Sequence, residues 1–451
     1  MDYAKSLRHL ESLGHELRGV CFRLETIEAI LARLGSPHLK YRTAIVAGTN
    51  GKGSTAAFLA SIVSQAGYRT GLYTSPHLIR VNERIRAGGA EIADEEFAAA
   101  LTEVHQAVED LRGRSVLDAP PSFFEILTAT AFVHFARAGA EFVVLEVGMG
   151  GRLDATNVTE PRVAIITPID LDHQEYLGST LALIAGEKAG VIKRGRPVVS
   201  NIPHPEASEV IRRRCAELAA PLIELARDGE ITNLLSHNGH YAFDLKLGGE
   251  LFPGLTSPLL GRFQVENAAT AVTAAVQLRD AGMAGITPLA IQEGLRQTAW
   301  PCRLETVCAA PLFLLDGAHN PAGAKEIAGF IREHLADRKL RLVYGSMKDK
   351  AVREITDLLW PLADEVYLTE PSHARAASPA EILALAGCRP KSMVVEPTAA
   401  QAVARALAAS APDDVVLAAG SLFLVGEIKK GVLDGSILIP SETKRENLVI
   451  V

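Results

Sequence analysis

Short β-branched runs alternate with segments of helical spacing over the first 200 residues of the chain. Apolar residues between 24 and 34 recur every three or four positions, which predicts a helix that stops at Gly35. Further helices are predicted at 54–66 and 180–189, and strands at 43–47, 141–147, 162–169 and 197–201. Strands that alternate with helices favour a parallel sheet with helices on both faces.

The alternation starts again after Pro301, which interrupts a helix that ends near Arg296. Strands are predicted at 312–315, 340–345, 365–368, 392–395 and 415–418, with helices at 322–335 and 399–409. This is enough for a second α/β domain, so we predict domains over 1–298 and 299–451. Gly248-Gly249 with Pro253-Gly254 indicates a hairpin or a surface loop.

Composition narrows the class of protein. The chain has 46 Lys and Arg against 53 Asp and Glu, a net charge of −7, which argues against a nucleic-acid-binding protein. Five cysteines, at 21, 215, 302, 308 and 388, form no CxxC pair and are typical of reduced thiols in the cytoplasm. We expect no signal peptide and no membrane segment, because neither a leader-like apolar region nor an apolar run of 18 residues occurs.

The segment 47–55, AGTNGKGST, has a predicted strand before it and a predicted helix after it. In that context glycines let backbone N–H groups face phosphate oxygens, the helix start adds its positive dipole end, and Lys52 adds a point charge. The pattern departs from a common P-loop, because Val46 takes the place of the outer glycine and Gly53 that of Ser/Thr. A plain turn is the alternative, but the flanking elements favour phosphate binding.

Two later segments also end predicted strands with polar residues, and a third polar residue lies in a predicted helix. Glu146 ends one strand, as a Mg²⁺-binding carboxylate does in P-loop enzymes, and the glycines after it suggest close approach of a ligand. His173, beside Asp172, follows another and is a candidate metal ligand. Lys188 lies in an apolar helix and needs a partner or a modification. A solvent-facing Glu and a structural His are the alternatives.

The C-terminal half repeats this arrangement in LLDGAHNPAG, residues 314–323. Asp316 falls at a strand end, where it is placed to bond a ribose hydroxyl. His319 and Asn320 follow just before a predicted helix and would face a shared cleft.

Together these motifs resemble the folylpolyglutamate synthases, including bifunctional dihydrofolate synthase/folylpolyglutamate synthases, of the Mur ligase superfamily. The resemblance runs from about Arg42 to Gly426 and rests on GTNGKGST (48–55), YTSPHL (73–78), SFFEILTATAF (122–132), LEVGMGGRLDATN (145–157), LDHQEYLGSTLALIAGEKAGVIK (171–193), GRFQVENAATA (261–271), LDGAHNPAG (315–323) and AAGSLFLVGE (418–427). Two departures stand out. The family's PGR is Pro301-Cys302-Arg303 here, and its HQ is Phe263-Gln264.

The resemblance implies a P-loop Mur-ligase-type ATPase domain with a parallel-rich sheet, followed by a smaller Rossmann-like α/β domain. It implies ATP contacts for Gly48, Thr49, Asn50, Gly51, Lys52, Gly53, Ser54, Thr55, Asn267, Arg303 and Asp316. It implies Mg²⁺ ligands at Ser75, Glu146 and His173, with Lys188 carbamylated (N6-carboxylysine) beside a second Mg²⁺. It implies pterin or other substrate contacts for Ser122, Phe123, Phe124, Glu125, Leu153, Asp154, Ala155 and Ser421, and catalytic roles for Lys52, Lys188 and His319.

The activity so implied is ATP-dependent ligation of L-glutamate to dihydropteroate, to the γ-carboxylate of tetrahydrofolate, or to both, through an acyl phosphate. The expected partners are these small molecules only, with no nucleic acid and no membrane, and the expected state is a cytoplasmic monomer. A monofunctional folylpolyglutamate synthase, a Mur-type peptidoglycan ligase and a nucleotide-binding module without catalysis are the alternatives. Segments 122–132 and 151–157 favour folate over the peptidoglycan ligase.

Overall fold

The computed structural model of the 451-residue chain describes residues 1–14 and 23–440. The chain forms two compact units. The first comprises residues 1–234, 242–256 and 266–298, and the second comprises 235–241, 257–265 and the residues from 299 onward. Cys21 lies outside the described residues, and the other four cysteines are free thiols.

The helices alternate with strands along most of the chain. They are α1 (Tyr3–Ser12), α2 (Glu25–Arg33), α3 (Lys52–Gln65), α4 (Asp94–Gly113), α5 (Phe123–Arg137), α6 (Gln174–Leu177), α7 (Leu181–Lys188), α8 (Pro205–Glu217), α9 (Leu225–Asp228), α10 (Arg262–Asp280), α11 (Pro288–Arg296), α12 (Pro321–His334), α13 (Val352–Leu359), α14 (Pro379–Leu385), α15 (Ala399–Ala408) and α16 (Leu422–Asp434).

The strands form three sheets. They are β1 (Arg42–Ala47), β2 (Thr70–Tyr73), β3 (Ile85–Ala87), β4 (Ala90–Glu91), β5 (Phe142–Glu146), β6 (Val163–Ile166), β7 (Val198–Ser200), β8 (Leu222–Glu224), β9 (Gly229–His237), β10 (His240–Leu247), β11 (Glu250–Ser257), β12 (Glu305–Ala309), β13 (Leu312–Leu315), β14 (Leu340–Tyr344), β15 (Glu365–Leu368), β16 (Met393–Val395) and β17 (Val415–Ala419).

The first unit contains an eight-stranded sheet in the order β4-β3-β2-β5-β1-β6-β7-β8. The six strands β2, β5, β1, β6, β7 and β8 run parallel to one another. At one edge β3 pairs antiparallel with both β2 and β4. The central strands β5 and β6 are buried throughout, and β1 along all but its first residue, as expected for a parallel sheet with both faces covered. Because these strands are parallel, the residues that follow β1, β2, β5 and β6 all emerge at one edge of the sheet.

A three-stranded sheet in the order β11-β10-β9 follows. Its second turn is Gly248-Gly249, with φ angles of 56° and 90°, which suit a two-residue hairpin turn. The predicted hairpin is therefore confirmed at this turn. Pro253 and Gly254, however, lie inside β11 and do not form a loop. The loop was predicted because Pro and Gly favour turns, and the two residues take consecutive exposed positions, which interrupts the alternation expected of a strand.

The second unit contains a six-stranded sheet in the order β12-β13-β17-β14-β15-β16. Strands β13, β17, β14, β15 and β16 run parallel, and β12 pairs antiparallel with β13. An apolar core cluster packs α12 and α13 against one face of this sheet. Asp316 and Ser421 follow the carboxyl ends of the adjacent strands β13 and β17, so both emerge at the same edge.

The α/β fold class predicted from the sequence is confirmed, and each predicted strand is present with its ends shifted by at most a few residues. Three long helices, α4, α5 and α10, were not predicted from the sequence. Residues 126–135 of α5 are buried on all sides, so this helix carries no apolar stripe for periodicity to detect. Among the described residues no helix is both long and apolar enough to cross a membrane.

Helices α3 and α11 pack closely enough that their backbones meet at Gly294. A Cβ at this position would lie 2.4 Å from Ile62 Cα, and Ser61 Oγ donates to Gly294 O at 2.6 Å. We predict that Gly294→Ala lowers the free energy of unfolding by about 1–3 kcal/mol, because the helices must move apart. Differential scanning calorimetry measures the change.

Gly329→Ala is the matched control, because Gly329 lies within α12 with open space around its Cβ position. This variant should gain about 0.5–1 kcal/mol from the lost flexibility of the unfolded chain. Equal effects of the two substitutions would contradict the packing argument.

Candidate active site

The glycine-rich segment 48–51 joins the end of β1 to the start of α3. Gly51 has a φ of 80°, and a Cβ there would lie 2.4 Å from Asn267 Oδ1. A Cβ on Gly48 would lie 1.8 Å from Thr167 Oγ1. Both positions therefore require glycine, and the loop lies directly against Thr167 and α10. Asn267, for which the resemblance implies a nucleotide contact, is a direct neighbour of the loop.

Two lysine side chains converge on carbonyl oxygens of this loop. Lys52 Nζ donates to Thr49 O at 3.0 Å, and Lys188 Nζ donates to Gly48 O at 2.7 Å. Lys188 is only 4% exposed. Burial, with a further contribution from the positive charge of Lys52, lowers the pKa of Lys188 to about 7. A large fraction of Lys188 is therefore an uncharged amine at neutral pH.

The loop amides only partly match the phosphate cradle expected from the sequence. The N–H groups of Thr49 and Asn50 donate to Pro168 O, at 2.8 and 3.3 Å. Thr49 Oγ1 also donates to Asp170 O and accepts from the Asp170 N–H, both at 3.0 Å. These contacts fix the loop to the segment after β6. An anion at this loop would therefore meet the amides of the first turn of α3, which have no acceptor within their own helix.

Glu146 and Ser75 meet at the same edge of the sheet, because each follows or ends one of the neighbouring parallel strands β5 and β2. The Ser75 N–H donates to Glu146 Oε2 at 3.1 Å. Glu146 is 4% exposed, so it is not the solvent-facing residue of the alternative interpretation. A buried carboxylate with a serine beside it presents oxygen atoms, which are the ligands that Mg²⁺ prefers.

A small pocket opens between the glycine loop and the segments after β5 and β6. Its lining residues are Gly48, Thr49, Lys52, Val147, Gly148, Met149, Gly150, Asp172, His173, Leu177 and Lys188. The His173 N–H donates to Asp172 Oδ1 at 2.9 Å, and His173 Nε2 lies 3.9 Å from Asp172 Oδ2. Lys52, His173 and Lys188 thus share one pocket. Met149 and Leu177 were not predicted, since apolar residues within a motif carry no chemical signal of their own.

Gly151, after β5, and Gly190, after α7, lie in close contact with neighbouring backbone. A Cβ on Gly151 would lie 2.9 Å from Glu187 O, and one on Gly190 would lie 2.3 Å from Arg152 Cα. Asn157 Nδ2 donates to Arg152 O and Gly190 O, at 3.0 and 3.1 Å. Gly151 and Gly190 thus permit close packing of protein backbone, whereas Gly148 and Gly150 line the pocket, where close approach of a ligand stays a prediction. This packing seats the end of α7, and with it Lys188, against the pocket.

Asp154 is engaged inside its own loop. Its Oδ2 accepts the N–H groups of Gly148 and Met149, each at 3.0 Å. Its Oδ1 accepts from the Thr156 N–H at 3.0 Å and from Thr156 Oγ1 at 2.6 Å. Burial raises the pKa of Asp154, and these four donors oppose that shift. The carboxylate therefore shapes the pocket wall at 148–149, and a direct substrate contact through this side chain has no support in the contacts.

The other candidate substrate contacts of the first unit lie at the start of α5 and at Leu153 and Ala155, whereas Ser421 lies in the second unit. Ser122 and Glu125 form a capping box at the start of α5, in which Ser122 Oγ donates to Glu125 Oε2 at 2.7 Å. The Phe124 ring packs on Gly148, where a Cβ would lie 2.6 Å away, and the Arg84 guanidinium lies 5.5 Å from the Phe123 ring centroid. Leu153 is partly buried, and Ala155 is 5% exposed.

The second unit gathers its candidates at the edge where β13 and β17 end. Asp316 Oδ2 accepts the Leu304 N–H and its Oδ1 the Ala318 N–H, both at 2.8 Å. Burial raises the pKa of Asp316, and the neighbouring Arg303 opposes the shift. His319 Nδ1 lies 2.9 Å from Gly317 O, so this nitrogen carries the hydrogen. Ser421 caps α16, because its Oγ accepts the Phe423 N–H at 3.1 Å.

Comparison with known proteins agrees with this arrangement. Residues 46–275 match the Mur ligase middle domain, and residues 302–422 match the Mur ligase glutamate ligase domain. The dihydrofolate synthase/folylpolyglutamate synthase of Bacillus subtilis is 37% identical over 413 residues, which cover 91% of this chain and 95% of the relative. The Escherichia coli protein of the same name is 33% identical and covers 94% of each chain.

This chain belongs to the folylpolyglutamate synthase family. Solved structures of the family agree with its fold. The Mycobacterium tuberculosis folylpolyglutamate synthase complexed with ADP and AMPPCP gives a TM-score of 0.87 at 32% identity and covers 96% of this chain and 99% of its own. The E. coli FolC in complex with DHPP and ADP gives 0.85 at 31% identity and covers 97% and 98%. The predicted family, fold class and ligase class are thus confirmed, whereas the roles of single residues stay predictions.

The contacts of Asp154 generate a test that separates a structural role from a substrate contact. We predict that Asp154→Asn lowers the free energy of unfolding by about 2–4 kcal/mol, because an amide NH₂ then faces N–H donors. Urea denaturation measures this loss. Asp110→Asn is the control, since Asp110 pairs with arginines on the surface and its loss should have little effect. Unchanged stability of Asp154→Asn with a raised KM for the pterin would instead indicate a substrate contact.

Proposed function

We propose that this chain uses ATP to ligate L-glutamate both to dihydropteroate and to the γ-carboxylate of tetrahydrofolate. The proposal rests on one observation: the glycine loop, Lys52, His173 and Lys188 line a common pocket, and Glu146 and Ser75 lie at the same sheet edge. Relatives named dihydrofolate synthase/folylpolyglutamate synthase, and a related structure in complex with DHPP and ADP, support the choice of substrates.

The reaction needs an activated carboxylate, because a carboxylate and an amine do not condense in water by themselves. A carboxylate oxygen of the pterin substrate attacks the γ-phosphorus of ATP, the bond to the β-phosphate oxygen breaks, and ADP leaves. Lys52 and the first-turn amides of α3 bind the phosphates and offset the charge of the transferring group. The product of this step is an acyl phosphate.

The amino group of glutamate then attacks the acyl carbon. A tetrahedral oxyanion forms, phosphate leaves with cleavage of the C–O bond, and the amine nitrogen loses a proton. His319 is our candidate for handling this proton, since its Nδ1 holds the hydrogen toward Gly317 O and its Nε2 then bears a lone pair. Arg303, Asp316 and Asn267 are proposed nucleotide contacts, and Ser421 a proposed glutamate contact.

The donor set suits magnesium, and Glu146, Ser75 and His173 are the residues that would hold it. When bound, Mg²⁺ neutralises phosphate charge during transfer. Within residues 1–14 and 23–440 no three His, Cys, Asp or Glu side chains are grouped for a metal, so a further oxygen donor is needed. An ammonium at Lys188 does not fit beside a cation, whereas a carbamate does. We propose that Lys188 adds CO₂ at Nζ, releases a proton, and helps to hold a second Mg²⁺.

The state of the cysteines bears on the compartment in which the chain works. The four described cysteines are free thiols, which suits a reducing compartment such as the cytoplasm. We propose that the chain works there as a monomer on small-molecule substrates.

The proposal predicts phosphate release that depends on ATP, glutamate and either dihydropteroate or tetrahydrofolate. Turnover with both acceptors supports the bifunctional enzyme, and turnover with tetrahydrofolate alone supports the monofunctional alternative. Lys52→Met should lower turnover by about 10²–10³-fold with either acceptor while the protein stays folded, because a phosphate-binding charge is lost from a loop that does not form the core. Near-normal turnover of this variant would contradict the assignment of the loop.

Carbamylation of Lys188 predicts a ¹³C resonance of a lysine carbamate when the enzyme is equilibrated with ¹³C-bicarbonate. Lys188→Arg should lack this signal and most of the turnover, because guanidinium stays positive and does not add CO₂. Lys188→Ala should recover part of its activity with acetate, which supplies the missing oxygen atoms. Lys193→Arg is the control, since Lys193 contacts Asn157 O and lies outside the pocket. A fully active wild-type enzyme without the resonance would refute the modification.

A further inference from the structure

The turn that carries Arg303 has an unfavourable backbone. Cys302 and Leu304, the residues on either side of Arg303, have φ angles of 55° and 48°. Both lie in the left-handed region, which costs a residue with a Cβ roughly 1 kcal/mol or more. Such conformations persist only where surrounding contacts impose them. Because both neighbours of Arg303 have this conformation, we infer that surrounding contacts impose the direction of Arg303.

Three hydrogen bonds from neighbouring residues hold this turn, and Arg303 Nη1 itself donates to Cys302 O at 3.2 Å. The Cys302 N–H donates to Glu305 Oε2 at 2.9 Å, and the Gly317 N–H donates to Cys302 O at 2.9 Å. The Leu304 N–H donates to Asp316 Oδ2 at 2.8 Å. Asp316 is buried and is itself a proposed nucleotide contact. Glu305, in contrast, is not expected to contact any substrate. Within the turn its carboxylate accepts the hydrogen bond of the Cys302 amide.

Lys429, on α16, fixes Glu305 in turn. Lys429 Nζ donates to Glu305 Oε1 at 2.7 Å and to Oε2 at 2.8 Å. The two side chains are 17% and 22% exposed, so water screens the pair only in part. Without Lys429 the Glu305 carboxylate would be more stable if it turned to solvent. The Cys302 N–H would then lose its acceptor. The chain of contacts thus runs from α16 through Glu305 to the backbone beside Arg303.

We propose that Glu305 and Lys429 are positioning residues for Arg303, which they hold in the direction needed to contact ATP. The inference rests on the nucleotide contact proposed for Arg303. Neither Glu305 nor Lys429 is proposed to contact the nucleotide itself. Each acts by keeping Cys302 in the left-handed conformation, so that the Arg303 side chain departs from a fixed point of the backbone.

A purely stabilising ion pair would show different behaviour, and the same unit provides one for comparison. Arg341 Nη1 donates to Asp414 Oδ2 at 2.6 Å, and the two side chains are 5% and 15% exposed. This pair lies at the amino-terminal ends of β14 and β17, whereas Arg303 and Asp316 lie at the carboxyl edge of the same sheet. Asp414→Asn therefore matches Glu305→Gln in chemistry and differs in location.

The experiment measures KM for ATP, KM for glutamate, kcat and the melting temperature for Lys429→Met, Glu305→Gln and Asp414→Asn. We expect all three to lower the melting temperature. Only the first two should raise KM for ATP, by about tenfold, with KM for glutamate changed less than about twofold, since a misdirected charge weakens the nucleotide contact alone. Lys429→Arg should restore KM for ATP, because a guanidinium can also donate twice to Glu305.

A double-mutant cycle with Arg303→Ala separates the two levels of the proposal. If Lys429 acts through Arg303, then Arg303→Ala/Lys429→Met should have the same KM for ATP as Arg303→Ala alone. Multiplying effects, or a Lys429→Met variant whose KM for ATP matches that of Asp414→Asn, would overturn the positioning role while the nucleotide contact stands. An unchanged KM for ATP in Arg303→Ala would overturn the contact and with it the inference.

Discussion

Close approach of backbone to backbone at the carboxyl edge of the eight-stranded sheet is the constraint on which the candidate site depends. Gly48 leaves no room for a Cβ beside Thr167, and Gly151 leaves none beside Glu187. Gly190 likewise lies against Arg152. Because of these contacts, the loops after β1, β5 and β6 and the end of α7 form one packed layer. Lys52, His173 and Lys188 project from that layer into a common pocket.

Both units use a buried aspartate in the same way. Asp154 holds the loop after β5 by accepting four hydrogen bonds, and Asp316 holds two segments by accepting the amides of Leu304 and Ala318. In each case burial raises the pKa of the carboxyl, and backbone donors oppose the shift. A strand-end carboxylate near a ligand can therefore serve to fix loop geometry as well as to contact the ligand.

Much of the fold and of the candidate site could be predicted from the sequence. The features that could not be predicted have identifiable physical reasons. Strand ends and polar residues after them were predicted because apolar runs and glycine-rich turns are local signals. The helix α5 was missed since a helix buried on every side shows no periodicity. The glycines at 148–151 are predicted to make room for a ligand, and Gly148 and Gly150 do line the pocket. The packing of Gly148 on Phe124 and of Gly151 on the end of α7 could not be predicted, because these partners are distant in sequence. The left-handed residues around Arg303 carry no sequence signal, because neither Cys nor Leu favours that conformation.

The two lysines of the pocket have a consequence for the balance between stability and activity. In this structure Lys52 and Lys188 give hydrogen bonds to the adjacent carbonyls of Thr49 and Gly48. Two amines that repel each other when both are charged are thus held together before any anion arrives. The desolvation of Lys188 is incurred when the chain folds, so under the proposed function Lys52 is already oriented when a phosphate arrives, and Lys188 is already close to the uncharged form that adds CO₂. The fold is less stable than a neutral loop would allow, and the reorganisation needed at the moment of binding is correspondingly smaller.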